Sequence, residues 1–241
     1  MKTIFIGDVH CKPHWKKIVK KENADRVIFI GDYFDSFDPC TPVEQLHNIK
    51  EILDYKLTSG KDVILLIGNH DYHYIPGTED KCSGYQLLGA ISYGHFFKEN
   101  LHHFQMCYQS GNLLCSHAGV SIEWLADIGY EGWDDIAGFV NDVFKYQPNN
   151  FGFRGRDPYG DDTYQTPIWI RPKSLMRANK KSFLKRDFIQ IVGHTHMSQI
   201  DVKGFTTGGR YFFIDCMPEY LILEDGVFSS AKLEPKEVAE V

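Results

Sequence analysis

The chain has 241 residues, of which 43% are apolar, and both values are typical of one globular α/β domain. Its formal net charge of −6 argues against broad nucleic-acid binding, which needs a basic surface. The longest apolar run, 63–67, is far shorter than the ~20 residues of a membrane span. The N-terminal apolar stretch is also too short for a signal peptide, so we expect a cytoplasmic protein with no membrane segment.

Five short apolar runs each end in glycine or a small residue, followed directly by a side chain that can bind a metal. Continuous apolar runs of this length predict strands buried on both faces. Glycine at a strand end permits a sharp turn and a close approach to a ligand. The polar residues at the five ends are Asp8, Asp32, Asn69, His117 and His194.

Helical segments at 13–22 and 42–59 separate the first three runs, and Thr41 is placed to cap the second segment. Strands that alternate with helices predict a layered α/β fold with parallel central strands. Because ligands bind at the carboxyl ends of such strands, we expect the five polar ends to converge on one crevice.

The rest of the chain predicts helices at 85–97, 122–128 and 133–146 and an irregular loop over the site at 148–166. Runs at 210–215, 220–224 and 227–233 predict antiparallel strands that complete a second sheet. We interpret residues 1–241 as one domain, with 72–110 and 121–186 as helical and loop insertions over the site. The tail at 234–241 is expected to fray.

Six cysteines occur, and no two of them form a C-x-x-C pair. A structural zinc site is therefore not expected, and in a reducing compartment the cysteines are expected to be free thiols, mostly in the core. They are Cys11, Cys40, Cys82, Cys107, Cys115 and Cys216.

Two further histidines extend the set of possible metal ligands to seven. His10 lies two residues after Asp8, so the two side chains point the same way in extended backbone, and His196 lies two residues after His194. Oxygen and imidazole donors without a thiolate suit Mn, Fe or Zn, with Ni or Co also possible, better than Ca. Seven donors exceed what one tetrahedral ion needs and fit two ions that share a carboxylate such as Asp32.

These residues carry a resemblance to the calcineurin-like metallophosphoesterases, whose five ordered blocks are matched in order and spacing. The block at Ser116, together with Trp169–Pro172, is similar to phage-type and bacterial protein phosphatases and to diadenosine tetraphosphate hydrolases. The resemblance implies a four-layer αββα sandwich of central mixed sheets, with the site at the carboxyl ends of the strands. The blocks are Gly7–His10, Gly31–Asp35, Gly68–Asp71, Ser116–Gly119 and Gly193–His196.

The same resemblance implies roles for individual residues. The first metal would be held by Asp8, His10, Asp32 and His196, and the second by Asp32, Asn69, His117 and His194. A metal-bound hydroxide would attack phosphorus in line with the leaving oxygen. His70 is the candidate general acid, with Asp35 orienting it, and Arg171 is the candidate clamp for phosphate oxygens.

One block departs from the protein-phosphatase pattern, in which an arginine follows the second aspartate. Ser36 occupies that position, so half of the usual arginine pair is missing. Arg154, Arg156 and Arg177 are open alternatives for its replacement. The sequence Gly-Asn-His-Asp at 68–71 also favours the wider superfamily over the protein phosphatases.

The leading functional hypothesis is a phosphomonoesterase acting on a phosphorylated substrate, which includes phosphoproteins. A dinucleoside polyphosphate or phosphodiester hydrolase is the second, because the second block is of the superfamily type and the aromatic-rich segment 72–110 could stack a base. Tyr72 and Tyr74 either line the crevice or belong to the core. A non-catalytic metal-containing scaffold is the third. The basic stretch 173–186 either attracts an anionic substrate or forms a solvated helix face, and the sequence does not indicate the oligomeric state.

Overall fold

The computed structural model describes residues 1–132, 134–157, 159–180, 188–204 and 208–239. Strands and helices alternate through its first half, and strands dominate its last fifth. In chain order the elements are β1 (Lys2–Ile6), α1 (His14–Glu22), β2 (Arg26–Phe29), α2 (Pro42–Thr58), β3 (Asp62–Leu65), α3 (Asn69–Tyr72), α4 (Leu87–Asn100), a 3₁₀ turn (Leu101–His103), β4 (Cys107–Ser110), β5 (Leu113–Ser116), α5 (Ile122–Asp127), α6 (Ile136–Tyr146), a second 3₁₀ turn (Pro148–Phe151), α7 (Pro172–Asn179), β6 (Ile189–Val192), β7 (Tyr211–Phe213), β8 (Glu219–Glu224), β9 (Val227–Lys232) and α8 (Pro235–Ala239).

The first sheet has the strand order β3-β2-β1-β8-β9. Strands β1, β2 and β3 run parallel, whereas β8 is antiparallel to β1 and pairs with β9 in a hairpin. Successive residues of β1 face opposite sides, so Ile4 and Ile6 pack with the helices while Phe5 packs between the sheets. Burial on both faces explains why these strands are continuously apolar.

The second sheet has the order β4-β5-β6-β7, in which β5, β6 and β7 are parallel and β4 is antiparallel to β5. The expectation that the last three runs form antiparallel strands of this sheet was wrong in part. Strand β7 joins it in parallel, while β8 and β9 close the edge of the first sheet. Apolar periodicity identifies a strand but not the sheet that receives it, since both sheets bury the same kind of surface.

Helices cover the outer face of each sheet. Ile18 of α1 and Ile49 of α2 pack on the first sheet, and Val140 of α6 belongs to the same continuous apolar cluster. Leu175 of α7 packs against Val192 of the second sheet. Helix α2 begins with the expected cap, in which the Thr41 hydroxyl accepts from the Glu44 backbone N–H. The predicted mixed α/β fold with two central sheets and two helical layers is therefore confirmed.

Several local expectations differ from the structure. Cys11 and Cys40 form a disulfide rather than two free thiols, while the other four cysteines are free. The tail that was expected to fray begins with α8, where the Glu237 carbonyl accepts a hydrogen bond from Lys17 Nζ. Position 133, the expected start of α6, and positions 181–187 of the basic stretch lie outside the described residues. No helix in the described part of the chain is long and apolar enough to cross a membrane.

Candidate active site

Three polar side chains lie at the carboxyl tips of the parallel strands of the first sheet. Ile6 of β1 pairs with Phe29 of β2, which pairs with Leu65 of β3. The chain therefore leaves all three strands at the same level, and their polar ends follow within four residues. These ends are Asp8, Asp32 and Asn69, each only 2% exposed.

The second sheet brings its own tips to the same place. His117 follows β5 and His194 follows β6, and both imidazoles contact the same atom from the first sheet. His117 Nε2 lies 3.0 Å and His194 Nδ1 2.9 Å from Asn69 Oδ1. The Asp32 carboxylate connects further donors, because its Oδ2 lies 3.3 Å from His117 Nε2 and 3.7 Å from His10 Nε2. The structure thus gathers six of the seven predicted metal ligands.

The glycines before these donors give the carboxylates room. A Cβ at Gly68 would lie 2.0 Å from Asp32 Oδ1, and a Cβ at Gly193 would lie 2.0 Å from Asp8 Oδ1. The backbone is also strained at the site, since Asp32 has φ 52° and His194 has φ 64°. Left-handed backbone at non-glycine residues costs free energy and is concentrated where function needs it.

Backbone carbonyls fix the orientation of three imidazoles, of which those of His10 and His117 are buried and that of His194 is half-buried. His10 Nδ1–H donates to Phe34 O at 2.8 Å, and His117 Nδ1–H donates to Ile30 O at 2.9 Å. His194 is held by the other nitrogen, since Nε2–H donates to Trp169 O at 3.1 Å. In each ring the remaining nitrogen then faces the other donors with its lone pair, which is the arrangement of metal-ligating histidines.

Several carboxylates lie close together at this site, and each shifts the pKa of its neighbours. Burial, then the negative charge of Asp215, raise the pKa of Asp8 well above its usual value. Burial also opposes the charge of Asp32, but His117 and His70 hold its pKa well below the usual value. Burial and Asp32 raise the pKa of Asp215, although His10 partly offsets them. Two buried carboxylates and the half-buried Asp215, beside lone-pair nitrogens, form an anionic donor set that divalent cations would neutralise, so the residues present fit metal ions.

A buried aspartate ties two of the strand tips together. Asp71 accepts hydrogen bonds from the backbone N–H groups of Asp32 at 2.7 Å, Tyr33 at 2.8 Å and Gly68 at 2.9 Å. Burial, together with the charge of Asp32, raises the pKa of Asp71 to about 7. Sequence analysis gave Asp71 no role, because it forms part of the third block without being a metal donor.

His70 and Asp35 form the pair that the resemblance implied. His70 Nδ1–H donates to Asp35 Oδ2 at 3.0 Å, and the His70 backbone N–H donates to Asp32 Oδ1 at 2.9 Å. Burial opposes the charged imidazole, but the charge of Asp32 and the hydrogen bonds to Asp35 and Cys82 raise the pKa of His70 to about 11. The His70 ring centroid lies 5.3 Å from that of His10, so this pair is adjacent to the metal donors.

Arg171 lies beside the same donors. Its Nε donates to Tyr159 O at 2.8 Å, and its Nη1 contacts Thr195 Oγ1 at 3.2 Å and His194 O at 3.4 Å. Burial, His117 and Arg171 lower the pKa of His194 well below its usual value. The guanidinium therefore lies next to His194, one of the predicted metal ligands.

Two of the three arginines considered as replacements at Ser36 have side chains engaged elsewhere. Arg154 pairs with Asp127 at 2.5 Å, and Arg177 donates to Asp161 O at 3.2 Å. The backbone N–H of the third, Arg156, donates to Asp162 Oδ2 at 3.0 Å. The Ser36 hydroxyl accepts from the Asp38 N–H at 3.2 Å, so it stabilises a turn.

Three further residues bear on the candidate site: His196, Asp215 and Lys12. His196 is exposed and does not join the buried group of Asp8, His10 and Asp32, although its charge lowers the pKa of Asp215. Sequence analysis missed Asp215, even though it follows an apolar run as the other site carboxylates do, because no glycine precedes it. Lys12 was missed as well, and its charge lowers the pKa of both His10 and Asp215.

Of the two interpretations open for Tyr72 and Tyr74, a place in the crevice or in the core, the structure has the core. They are 1% and 4% exposed, because both rings pack into the core cluster that includes α4. The Tyr74 hydroxyl instead donates to Asp35 Oδ1 at 2.5 Å. The exposed aromatic ring at the site is that of Phe37, which is 77% exposed and has its centroid 4.9 Å from that of His10.

Comparisons with known proteins agree with this geometry. The model of the calcineurin-like phosphoesterase family matches residues 1–198. A comparison with curated proteins yields no match. Among solved structures, a cold-active protein-tyrosine phosphatase from Shewanella is 16% identical with a TM-score of 0.65, covering 97% of this chain and 80% of that one.

Two further solved structures have the same fold. A protein serine/threonine phosphatase from Saccharomyces cerevisiae is 11% identical with a TM-score of 0.57, covering 97% of this chain and 80% of that one. A protein assigned as a diadenosine tetraphosphatase is 14% identical with a TM-score of 0.52, covering 97% and 94%. Identities this low show a shared fold and leave the substrate open.

Proposed function

This chain belongs to the calcineurin-like phosphoesterase family, and from that premise we propose that it is a dinuclear metal-dependent phosphomonoesterase. The single observation that carries the proposal is the His70–Asp35 hydrogen bond of 3.0 Å beside the metal donors. A phosphomonoester with an alkoxide or phenoxide leaving group needs a proton at that oxygen, and an imidazolium held by a carboxylate can donate it.

The metal ligands in this proposal are the seven expected from the sequence. Asp8, His10, Asp32 and His196 would hold one ion, and Asn69, His117 and His194 would hold the other together with Asp32. Because His196 is exposed, its side chain would turn inward to complete the first set. Bound ions such as Mn, Fe or Zn supply Lewis acidity that activates water and neutralises the phosphoryl oxygens.

The residues of the chain then position and protonate the substrate. Arg171 and Lys12 are the two cations near the donors, and both favour a doubly charged phosphomonoester over a singly charged diester. Arg171 would bind a phosphoryl oxygen from the side of His194. His70 would hold its proton on Nε2, with Nδ1–H fixed by Asp35. The substrate is a phosphorylated molecule, and a phosphoprotein is one candidate class.

A leaving-group series tests the role of His70. Purified Mn²⁺-loaded protein is assayed on aryl phosphates with leaving groups of increasing pKa and on an alkyl phosphate. His70→Asn should lower kcat by roughly 10²–10⁴ for poor leaving groups and much less for the most acidic phenol. His95→Asn, at an exposed histidine on α4, is the matched control and should behave as the unmodified chain. An equal loss across the series would refute His70 as the proton donor.

A double substitution tests the metal requirement. Asp8→Asn combined with His117→Ala removes one predicted ligand from each ion and should abolish both bound metal and hydrolysis. Activity that survives this change would refute the dinuclear mechanism. Metal-loaded protein that is inactive on every substrate and yet retains a partner in pull-down would favour the scaffold hypothesis.

A second candidate function is the hydrolysis of a dinucleoside polyphosphate or a phosphodiester, which would need an aromatic ring to stack a base. Because Tyr72 and Tyr74 are buried, the candidate ring against which a base could stack is that of Phe37, beside His10. Turnover of a bis-nucleosyl tetraphosphate far above that of phosphomonoesters, and its selective loss in Phe37→Ala, would support this function over the first.

A further inference from the structure

A second group of metal-capable side chains adjoins the strand-tip donors but is separate from them. Asp35, His70, His73 and Cys82, here called the Cys82 cluster, each offer a donor atom within 4.8 Å of one from every other member. All but Cys82 are buried, and Cys82 is half-buried. Only His70 and Asp35 have a role in the proposed hydrolysis, so His73 and the thiol are not accounted for.

The distances within the cluster resemble those between ligands of one small ion. Cys82 Sγ lies 3.1 Å from His73 Nδ1 and 3.8 Å from His70 Nδ1. Asp35 Oδ2 lies 3.0 Å from His70 Nδ1, and it contacts the other nitrogen of the His73 ring, Nε2, at 2.8 Å. Because an imidazole binds one ion through one nitrogen, His73 would turn to present a single nitrogen, and the four donor atoms then lie within 4.8 Å of one another. Ligands of a tetrahedral zinc ion, at about 2.0–2.3 Å from the metal, are themselves about 3.3–3.6 Å apart. Small side-chain shifts would therefore suffice to enclose an ion.

His73 carries an unsatisfied atom in this cluster. Its side chain is 1% exposed, and its Nε2 approaches Asp35 Oδ2 without the alignment of a hydrogen bond. The close contact with the Asp35 carboxylate is therefore ionic rather than an aligned hydrogen bond, and a cation between the two groups would satisfy both. The Tyr74 hydroxyl holds Asp35 Oδ1, which leaves Oδ2 directed at the two histidines.

The donor types also distinguish this cluster from the strand tips. A thiolate with imidazoles and one carboxylate selects zinc and its chemical relatives, whereas the oxygen and imidazole donors of the strand tips suit Mn and Fe as well as Zn. The strand-tip set contains no sulfur. Zinc at low concentration would then bind the Cys82 cluster in protein whose strand tips are already loaded with Mn²⁺.

We propose that Asp35, His70, His73 and Cys82 form an inhibitory zinc site next to the catalytic centre. Zinc bound there would occupy His70 Nδ1 and break its hydrogen bond to Asp35, so the imidazole could no longer be held in the orientation needed to protonate a leaving group. This inhibitory consequence rests on the proposed function of His70, whereas the binding of zinc does not.

Cobalt spectroscopy tests the site without any assay of activity. Co²⁺ bound by a thiolate gives a ligand-to-metal charge-transfer band in the near ultraviolet, and Co²⁺ at the sulfur-free strand tips cannot. Titration of the full chain with Co²⁺ should produce this band, which should be absent in Cys82→Ser. Cys216→Ser removes a free cysteine outside the cluster and should keep the band. A wild-type spectrum without the band, or a band that persists in Cys82→Ser, would overturn the proposal.

Inhibition by Zn²⁺ in the presence of excess Mn²⁺ tests the consequence. Each variant is compared with its own activity before zinc is added. Removal of a residue that only hydrogen-bonds to a metal ligand already weakens metal binding by about 10–100-fold. Loss of a ligand in Cys82→Ser should therefore raise the half-inhibitory zinc concentration at least ~10-fold, and Cys216→Ser should not. Equal zinc sensitivity of all three proteins would overturn the inhibitory role. Mn²⁺-loaded protein without hydrolytic activity would instead refute the proposed function, and the cobalt band would still report on the zinc site.

Discussion

The Asp71 carboxylate accepts a hydrogen bond of 2.7 Å from the backbone N–H of Asp32, the residue that both predicted metal sites share. The same carboxylate holds the N–H of Gly68, so one buried side chain fixes the spacing between two strand tips. Asp71→Asn would place an amide NH₂ against backbone donors and leave N–H groups unsatisfied. We expect a loss of about 1–3 kcal/mol of unfolding free energy and a clear loss of metal occupancy, measured by denaturant titration and elemental analysis.

Asp25 provides the control for this substitution. It is exposed and accepts one backbone N–H, that of Lys2, at 2.8 Å. Asp25→Asn should change the unfolding free energy by less than about 0.5 kcal/mol and leave the metal content unchanged. If Asp71→Asn had an equally small effect, Asp71 would not be the residue that holds the two tips together.

The glycine before Asn69 gives a steric prediction. Gly68 does not have positive φ, so its own backbone conformation permits alanine, but the added Cβ would lie 2.0 Å from Asp32 Oδ1 and 2.5 Å from the Asp32 backbone nitrogen. We expect Gly68→Ala to displace the Asp32 carboxylate and to reduce metal affinity and kcat together. Gly94→Ala, in the interior of α4 where the nearest atom would be 3.5 Å away, should be neutral or stabilising by up to ~1 kcal/mol. Full metal occupancy in Gly68→Ala would show that the site tolerates the added methyl group.

The sequence indicated where the predicted metal ligands lie, but it did not indicate which residues hold them in place. Asp8, Asp32 and Asn69 are recognisable because each follows a buried apolar run, and parallel pairing then forces their strand tips together. Asp71 and Tyr74 act through contacts that join segments far apart in the chain, and local periodicity carries no information about such contacts. The Cys11–Cys40 disulfide and the placement of β8 in the first sheet escaped prediction for the same reason.

The pH dependence of hydrolysis should report on the His70–Asp35 pair. Protonated His70 is the active form and is present below its pKa, which Asp32 and Asp35 raise to about 11 against the opposing effect of burial. Cations held by Asp32 would cancel the contribution of its charge, so in the metal-loaded enzyme the position of the alkaline fall in kcat/KM for an alkyl phosphate should depend on the hydrogen bond from His70 to Asp35. Asp35→Asn removes a charge that favours the imidazolium, so this fall should move to lower pH by about 1 unit or more.

Asp38→Asn is the control for this shift, because Asp38 is an exposed acid three residues away in the same loop. Its pH profile should match that of the unmodified chain. An alkaline limb that is unchanged in Asp35→Asn would show that Asp35 does not set the proton affinity of the acid.

Asp215 should affect stability in opposite directions with and without metal. Burial and the charge of Asp32 raise its pKa, so the folded state binds this proton more tightly than the unfolded state. In metal-free protein the folded state therefore loses stability as the pH rises from about 4 through the raised pKa. At pH 8, Asp215→Asn removes a repelled charge, and we expect the Tm in the presence of a chelator to rise by a few degrees.

With Mn²⁺ bound, the same carboxylate faces cations and stabilises them, so its removal should weaken metal binding. A tenfold loss of affinity lowers the stabilisation by saturating metal by ~1.4 kcal/mol, and the Tm of Asp215→Asn should then fall below that of the unmodified chain. Asp54→Asn, at an exposed position of α2, should show no such reversal. Thermal unfolding of each protein with Mn²⁺ and with chelator makes the comparison. A shift of the same sign in both conditions would mean that the Asp215 charge does not act on the metal site.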